Sequence, residues 1–445
     1  MDVPHGHLSR TGSLSSAKLA AVTTAASLLE PMVGHLLGPD LKVNIRFWDG
    51  SELGEAGATS IIVRSPEAVR HLLWAPGELG LGRAYVSGQL ELEGDVYDLL
   101  TLRDNIADAR EDADISLGMR GWASMLPAAW KLGLVGRRPP PPPEEAQLTG
   151  RMHSPQRDAA AIRHHYDVSN DFYRVVLGPS MTYSCAYFRR DDMSLDDAQA
   201  SKYELICRKL GLQPGMRLLD VGCGWGGMVL HAAQHHGVRA VGVTLSAAQH
   251  ELANKRIIEA GLADQVEVRL QDYRAIDDGP FDAISSIGMF EHVGMEMLEE
   301  YFRRLHALLR PKGRLLNHGI SRPDGSGAVD RGSFIDRYVF PDGALHEVGR
   351  VVSNMADLGF EIRDVHSLRE HYATTLRAWV TNLEEQWDEA QVLAGPGRAR
   401  VWRLYMAASA LNFEAGRTGI HQVLAVKADG GDAGVAPTRT DWLDW

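Results

Sequence analysis

LLDVGCGWGG, residues 218–227, reads as a buried strand that ends on Asp220 and breaks into a glycine turn. Gly222, Gly224 and Gly226 remove Cβ atoms where the chain must bend tightly and where a ligand can approach the backbone. The run that follows, residues 228–235, reads as the next helix. Strand, glycine turn and helix in that order place a nucleotide-like ligand at the turn. Two features point away from a nicotinamide dinucleotide. The third glycine comes one residue earlier than in GxGxxG, and the second strand, VRAVGVT, ends on Thr244 instead of an acidic ribose ligand. S-adenosylmethionine, which has no pyrophosphate, fits this turn better.

Around the turn the text alternates strand-like and helix-like segments. MRLLDV, VRAVGV, QVEVRL, FDAISS and GRLLNHG are separated by helical runs such as 247–260 and 295–309, which implies a mostly parallel sheet of the α/β class. The ligand of the glycine turn then lies at the carboxyl edge of that sheet. Upstream, residues 43–102 alternate short β-like runs with helix-like ones and read as a compact small domain. An amphipathic stretch, residues 118–138, leads into five prolines, residues 139–143, expected to form a stiff spacer at a domain boundary. Trp122, Met125, Leu126 and Trp130 beside Lys131, Arg137 and Arg138 suit either a helix packed on its own protein or one lying at a lipid interface. Residues 428–445, rich in Gly, Asp and Ala, read as a flexible tail.

The chain has 445 residues, 44% hydrophobic and 23% charged, enough for a sizeable core and for two or three domains. Its 46 basic and 58 acidic residues leave a net charge of −12, which argues against a nucleic-acid partner and against global attraction to an anionic membrane. Membrane contact must then be local. Three cysteines, Cys185, Cys207 and Cys223, show no paired metal-ligand spacing, so no metal site is expected and a reducing, cytoplasmic setting is. The apolar run 19–29 is broken by Glu30 and reads as an amphipathic helix.

A methyl donor needs contacts for its methionyl, ribose and adenine parts. Asp220 and the glycines are placed for the first two, Thr244 and Gln249 offer a hydroxyl and an amide after the second strand, and Asp272 with Tyr273 follows the third. Two blocks upstream, HHYDVSNDFY (164–173) and MTYSCAYF (181–188), mix aromatic and polar residues without clean periodicity, as site-lining text often does. The residues by themselves stop short of a substrate.

The ordered set HYDVSNDFY, TYSCAYF, LLDVGCGWGG, GVTLSAAQ, LQDYR, GMFEHVG, LLNHGIS, YVFPDG and REHYATTL closely resembles the cyclopropane-fatty-acyl-phospholipid synthases and mycolic acid cyclopropane synthases. Upstream, GLGRAYVSGQLELEGDVYDLL resembles a motif of the N-terminal lipid-substrate domain in full-length bacterial members. The resemblance implies a class I, Rossmann-like methyltransferase with a doubly wound sheet and a smaller N-terminal α+β lipid-binding domain. The expected limits are 1–112 for the small domain, 113–151 for the linker, 152–427 for the methyltransferase domain and 428–445 for the tail. It implies transfer of a methylene unit from S-adenosylmethionine to the cis double bond of a phospholipid acyl chain, at the inner face of a membrane, by an enzyme that forms homodimers in relatives. A fatty-acid methyltransferase giving a methylene or methyl branch is the neighbouring expectation.

An alkene is a poor nucleophile, so the sulfonium methyl must be held in line with the π bond, away from water. Attack leaves a carbocation that Tyr183, Phe188 or Phe290 could face. In this family a bound bicarbonate is thought to take the last proton. Carried over by motif, its ligands are Cys185 through its backbone, Glu291, His318, Ile320 and Tyr372. The resemblance likewise implies donor contacts from Tyr166, Tyr183, Ser184, Asp220, Gly222, Gly224, Thr244, Leu245, Gln249, Gln271, Asp272 and Tyr273. The chain departs from many relatives at His346 and Glu347, where Pro-Ser is common, and at Asn317 and Gly319, where Leu and Thr are common. These changes are expected to touch the acceptor pocket.

Overall fold

The computed structural model describes residues 24–37, 43–101, 129–146, 169–323 and 332–443, apart from residues 56, 58, 76, 135, 342 and 344. Near the amino terminus, β1 (Asn44–Phe47) pairs antiparallel with β2 (Glu52–Leu53) and parallel with β3 (Ser60–Val63), which pairs antiparallel with β4 (Leu90–Glu93). Between β3 and β4 the chain turns into the helices Pro66–Trp74 and Glu78–Val86. The first starts where sequence rules place it: Ser65 accepts the N–H of Glu67, and Pro66 fills a position whose own N–H has no helical partner.

The larger sheet has the order β11-β12-β9-β8-β5-β6-β7. Its parallel strands are β5 (Arg217–Val221), β6 (Arg239–Thr244), β7 (Val266–Leu270), β8 (Phe281–Ile287) and β9 (Leu309–Arg322). β10 (His346–Glu347) adds a short parallel pair on β9. β11 (Glu361–Ser367) and β12 (Gly419–Val426) close the far side, β12 antiparallel to both β9 and β11. The chain runs outward from β5 to β7 and then returns to β8, so the strand order reverses between β5 and β8. This reversal opens a crevice above their carboxyl ends.

The two parts of the chain share one core. A single apolar cluster holds Ile45, Val63 and Tyr85 of the small sheet and its helices together with Phe172, Trp379 and Trp402 of the large domain. Polar links reinforce the join. Arg83 makes a two-pronged, buried contact with Glu145 at 2.8 and 2.7 Å, and Arg400 reaches Glu91 at 3.0 Å. Arg403 donates to the Tyr85 hydroxyl and the Gly94 carbonyl, each at 3.3 Å.

The stiff spacer expected at residues 139–143 is instead a packed strap. Pro139 and Pro142 are buried, Glu145 meets Arg83, and the Ala146 N–H donates to the Arg337 carbonyl at 2.8 Å. Extended proline geometry presents flat rings and free carbonyls, which suit docking as well as spacing. The segment expected as a tail also makes packing contacts through residue 443. Asp432 pairs with Lys312 at 2.6 Å, Arg439 with Asp364 at 2.9 Å, and Trp442 on the helix Thr440–Leu443 is buried beside Leu210 and Leu212.

Near the expected amphipathic helix at 19–29, the described part of the chain forms Ala25–Leu37, with Leu29, Met32 and Val33 buried. No helix among the described residues is long and apolar enough to cross a membrane. Of the amphipathic stretch 118–138, Trp122, Met125 and Leu126 lie outside the described residues, while Trp130 is 77% exposed.

Candidate active site

The crevice at the strand reversal is a cleft with an internal volume of about 130 Å³, floored by the glycine turn. Gly222 sits at φ 77°, and a Cβ there would stand 2.8 Å from the Met289 side chain. Gly224, at φ 54°, has no heavy atom within 4 Å of where a Cβ would be, so its backbone faces open space. The N–H groups of Gly222 and Cys223 both donate to the Val243 carbonyl, at 3.0 and 2.9 Å, which pins the turn to β6.

Asp220, at the end of β5, is buried and accepts a 2.6 Å hydrogen bond from Ser285, its register partner on β8. Burial pushes its pKa up to about 6, while Ser285 and the nearby Lys202 act against that rise. Thr244 donates to Gln249 at 2.7 Å and accepts the Ser246 N–H at 3.2 Å, so a helix start and two cleft side chains are fixed together. Gln271 donates to the Ala275 carbonyl at 3.0 Å.

The cleft brings together Tyr183, Ser184, Asp220, Gly222, Gly224, Thr244, Leu245, Gln249, Gln271 and Tyr273. Two of the expected donor residues are not in this lining. Asp272 turns aside to grip Arg274 at 2.9 and 2.5 Å and to cap the short turn Tyr273–Ala275, because a guanidinium two residues away competes for its carboxylate. Tyr166 lies outside the described residues.

Sequence reasoning missed Lys202, Tyr203, Trp225, Met289 and His292, which also line the cleft. Lys202 is fully buried, donates to Ser184 Oγ at 2.8 Å, and is brought down to about 7 by burial. Its signal was present: Ala198, Lys202, Leu205 and Lys209 form a helical stripe, all buried, with two lysines where apolar residues belong.

A second constellation forms at the end of β9. β8 stops at Ile287, opposite His318, so the N–H of Ile320 lies past the end of that ladder. Glu291, on the short turn Phe290–His292, takes it: Oε1 accepts the Ile320 N–H at 2.7 Å. Glu291 Oε2 is shielded from solvent and has no hydrogen-bond partner among the described residues. Burial raises this carboxyl to about 7, so it both donates and accepts near neutral pH.

His318 is fully buried, and Gln422 donates to its Nδ1 at 3.2 Å. Its Nε2, which then carries the proton, has no partner among the described residues. Burial, with Lys202 and Lys209 nearby, holds this imidazole well below its usual pKa and therefore neutral. The Cys185 thiol donates to the Ala186 carbonyl at 3.1 Å and is pushed well up by burial, which is unlike a nucleophilic cysteine.

The remaining members join through backbone. The Leu368 carbonyl faces the Cys185 sulfur at 3.7 Å and accepts the Tyr372 N–H at 3.1 Å. The Leu368 N–H donates to Ile420, whose register partner is Ile320. Tyr372 is buried, its ring 4.7 Å from that of Phe413. Cys185, Tyr372 and Ile320 are thus linked through Leu368 and Ile420, Glu291 joins them at Ile320, and His318 stands two residues before Ile320 on β9.

Of the three aromatic candidates, Tyr183 lines the cleft, backed by Trp379 and Trp402 at 5.3 and 5.4 Å. Phe188 stacks on His371. Phe290 fills the space beside Gly319, where any Cβ would collide with its ring, and His346 packs on it at 5.6 Å. The departures at 319 and 346 are therefore one packing unit. Asn317 is buried, and Glu347 pairs with Arg322 at 2.8 Å and Arg350 at 3.3 Å.

The family described as mycolic acid cyclopropane synthetase matches residues 153–423. A Mycobacterium tuberculosis protein named as a probable fatty acid methyltransferase is 44% identical over 97% of this chain and 99% of its own. The cyclopropane-fatty-acyl-phospholipid synthase of Escherichia coli K12 is 34% identical over 84% of this chain and 90% of its own. The mycolic acid cyclopropane synthase CmaA1, solved with SAH and CTAB, superposes with a TM-score of 0.58 at 36% identity, covering 60% of this chain and 98% of that one. The glycine turn, the cleft at the strand reversal and these matches agree: the chain belongs to the mycolic acid cyclopropane synthetase family and is an S-adenosylmethionine-dependent methyltransferase.

Proposed function

We propose that the protein is a cyclopropane-fatty-acyl-phospholipid synthase, adding a methylene unit from S-adenosylmethionine to the cis double bond of an unsaturated acyl chain. The observation that carries this reading is the pair of orphaned buried polar atoms at the end of β9, Glu291 Oε2 and His318 Nε2. Unsatisfied buried polar atoms are costly, and two of them in one constellation fit a small polar guest such as bicarbonate. Glu291, His318 and the backbone at Cys185 and Ile320 would hold that anion, with Tyr372 beside it. When bound, it supplies a weak base, which suffices because a carbocation gives up its proton readily.

The chain's own residues do the rest. The Gly222–Gly224 turn, Asp220 and the Thr244–Gln249 pair orient the donor. Tyr183, with Trp379 and Trp402 behind it, offers aromatic faces where positive charge develops and keeps water out. Methyl transfer breaks the sulfur–methyl bond and forms one carbon–carbon bond. Loss of one methyl proton then lets the second carbon–carbon bond close the ring. The small domain, fused to the same core, would seat the lipid, and the exposed Trp130 with Arg137 and Arg138 would meet the membrane surface.

A second reading, methyl or methylene branching, is favoured by one observation. The 44% and 41% identical relatives are both named as probable fatty acid methyltransferases. Mass spectrometry of lipids from cells expressing the protein separates the two. A gain of CH2 with loss of alkene reactivity supports the ring, and a retained exocyclic alkene overturns it.

A further inference from the structure

We propose that Cys207, His231 and His236, beside Glu204, form a three-ligand binding site for a zinc-like divalent cation behind the donor cleft. Cys207 and Glu204 stand three residues apart on the helix Leu195–Leu210, hence on one face. His231 and His236 come from the helix Gly227–His236. The Cys207 sulfur and one nitrogen of each imidazole all lie within 4.8 Å of one another. Glu204 Oε2 is 2.9 Å from His236 Nε2 and 3.5 Å from His231 Nε2.

These separations are close to those of a filled site. A tetrahedral zinc centre with bonds of roughly 2.0–2.3 Å has its ligand atoms roughly 3.3–3.8 Å apart. Side-chain adjustments of about an ångström would close the cluster. The donor set also selects the metal: a thiolate with two imidazoles suits zinc and cobalt and not magnesium or calcium, which want oxygen cages.

The surroundings orient the ligands. Arg208 occupies Glu204 Oε1 at 2.6 Å and leaves Oε2 toward the imidazoles. The Cys207 thiol is buried and pushed up by burial, so a metal must displace its proton. Imidazole–carboxylate contacts alone would explain Glu204 and the two histidines as helix packing. They do not explain the thiol converging with them.

The cysteine spacing concealed this site, because its ligands come from two helices that only the fold brings together. Its place suggests its use. Tyr203, next to Glu204, lines the cleft, and its ring lies 5.7 Å from that of His231. The helix bearing the histidines starts at Gly227, also in the cleft wall. A cation here would clamp the helix of Lys202 and Tyr203 to the helix that leaves the glycine turn.

The test is titration of the metal-stripped full chain with Co²⁺ alone, followed by absorbance, then competition with Zn²⁺. The expected result is a thiolate-to-cobalt charge-transfer band saturating at one equivalent, quenched by Zn²⁺ and unaffected by Mg²⁺. Cys207→Ser should abolish the band, and His236→Gln should weaken binding by more than about tenfold. Circular dichroism of each variant checks that it is folded. Absence of the band in the unsubstituted protein overturns the proposal, as does a band that survives Cys207→Ser.

Discussion

The Glu291 carboxyl closes on the backbone N–H of Ile320 at 2.7 Å, bridging the turn after β8 to the end of β9. One oxygen is thereby fixed by the sheet, while the other is kept from solvent and unspent. A carboxyl held this way is positioned before any substrate arrives. Glu291→Gln keeps the shape and one acceptor oxygen but removes the titrating proton. Turnover should fall by more than about tenfold while donor affinity changes little, as is usual for an interaction needed chiefly in the transition state. Equal losses in kcat and in donor binding, measured by calorimetry, would assign Glu291 to cofactor binding or folding.

The same carboxyl should leave a mark on stability. Its pKa is raised from 4.5 to about 7, so the folded protein keeps a proton that the unfolded chain gives up. The resulting stabilisation is complete below the unfolded value and is lost as pH rises through about 7, on the order of 3 kcal/mol in all. Thermal melts of the original protein and of Glu291→Gln, from about pH 5 to about pH 8, should therefore diverge, the original losing more. Parallel curves would contradict the assignment.

Gly319 and Phe290 form a complementary pair, since a Cβ at 319 would collide with the ring. Gly319→Thr should destabilise the fold by about 1–3 kcal/mol through overpacking. Adding Phe290→Ala should recover part of that loss. Melting temperatures of the two single variants and the double variant test the coupling, and simple additivity would count against it.

Arg83 and Glu145 tie the proline strap to the small domain, each side chain only 7% exposed. Glu145→Ala strands a buried guanidinium and should cost about 3–5 kcal/mol, whereas replacing both residues with apolar ones of similar volume should cost much less. Differential scanning calorimetry of the two variants distinguishes a pair needed for stability from one that is merely tolerated.

Arg137 and Arg138 are exposed beside Trp130. Charge reversal at both should reduce cosedimentation with anionic phospholipid vesicles, by more at low salt than at high. Unchanged cosedimentation would return this segment to internal packing.

The doubly wound sheet was legible because LLDVGCGWGG and the alternating segments after it obey local rules of strand, turn and helix. Most of the expected donor residues line one cleft, since they cluster at strand ends. Lys202 was not legible as a cleft residue because helix position alone does not say which neighbour a buried lysine finds. The pairing of Asp272 with Arg274 was not legible for the opposite reason: its partner was two residues away, and a strand-end rule ignores such local pairing. The contacts of the proline strap and the tail were not legible because composition describes an isolated segment, while Glu145 and Trp442 dock against partners far along the chain.

The helix Pro396–Glu414 reaches both halves of the molecule. Arg400 and Arg403 hold β4, its following turn and Tyr85, while Tyr405 accepts the Tyr183 hydroxyl proton at 3.3 Å beside the cleft. Arg400 and Tyr405 stand five positions apart, roughly 8 Å along the helix axis. Any tilt of the small domain would therefore be levered onto the aromatic wall where the acyl chain is proposed to react. Lipid seated on the small domain would be felt at the neighbouring aromatic wall through one helical turn and a half, so lipid occupancy and readiness for methyl transfer need not be independent events.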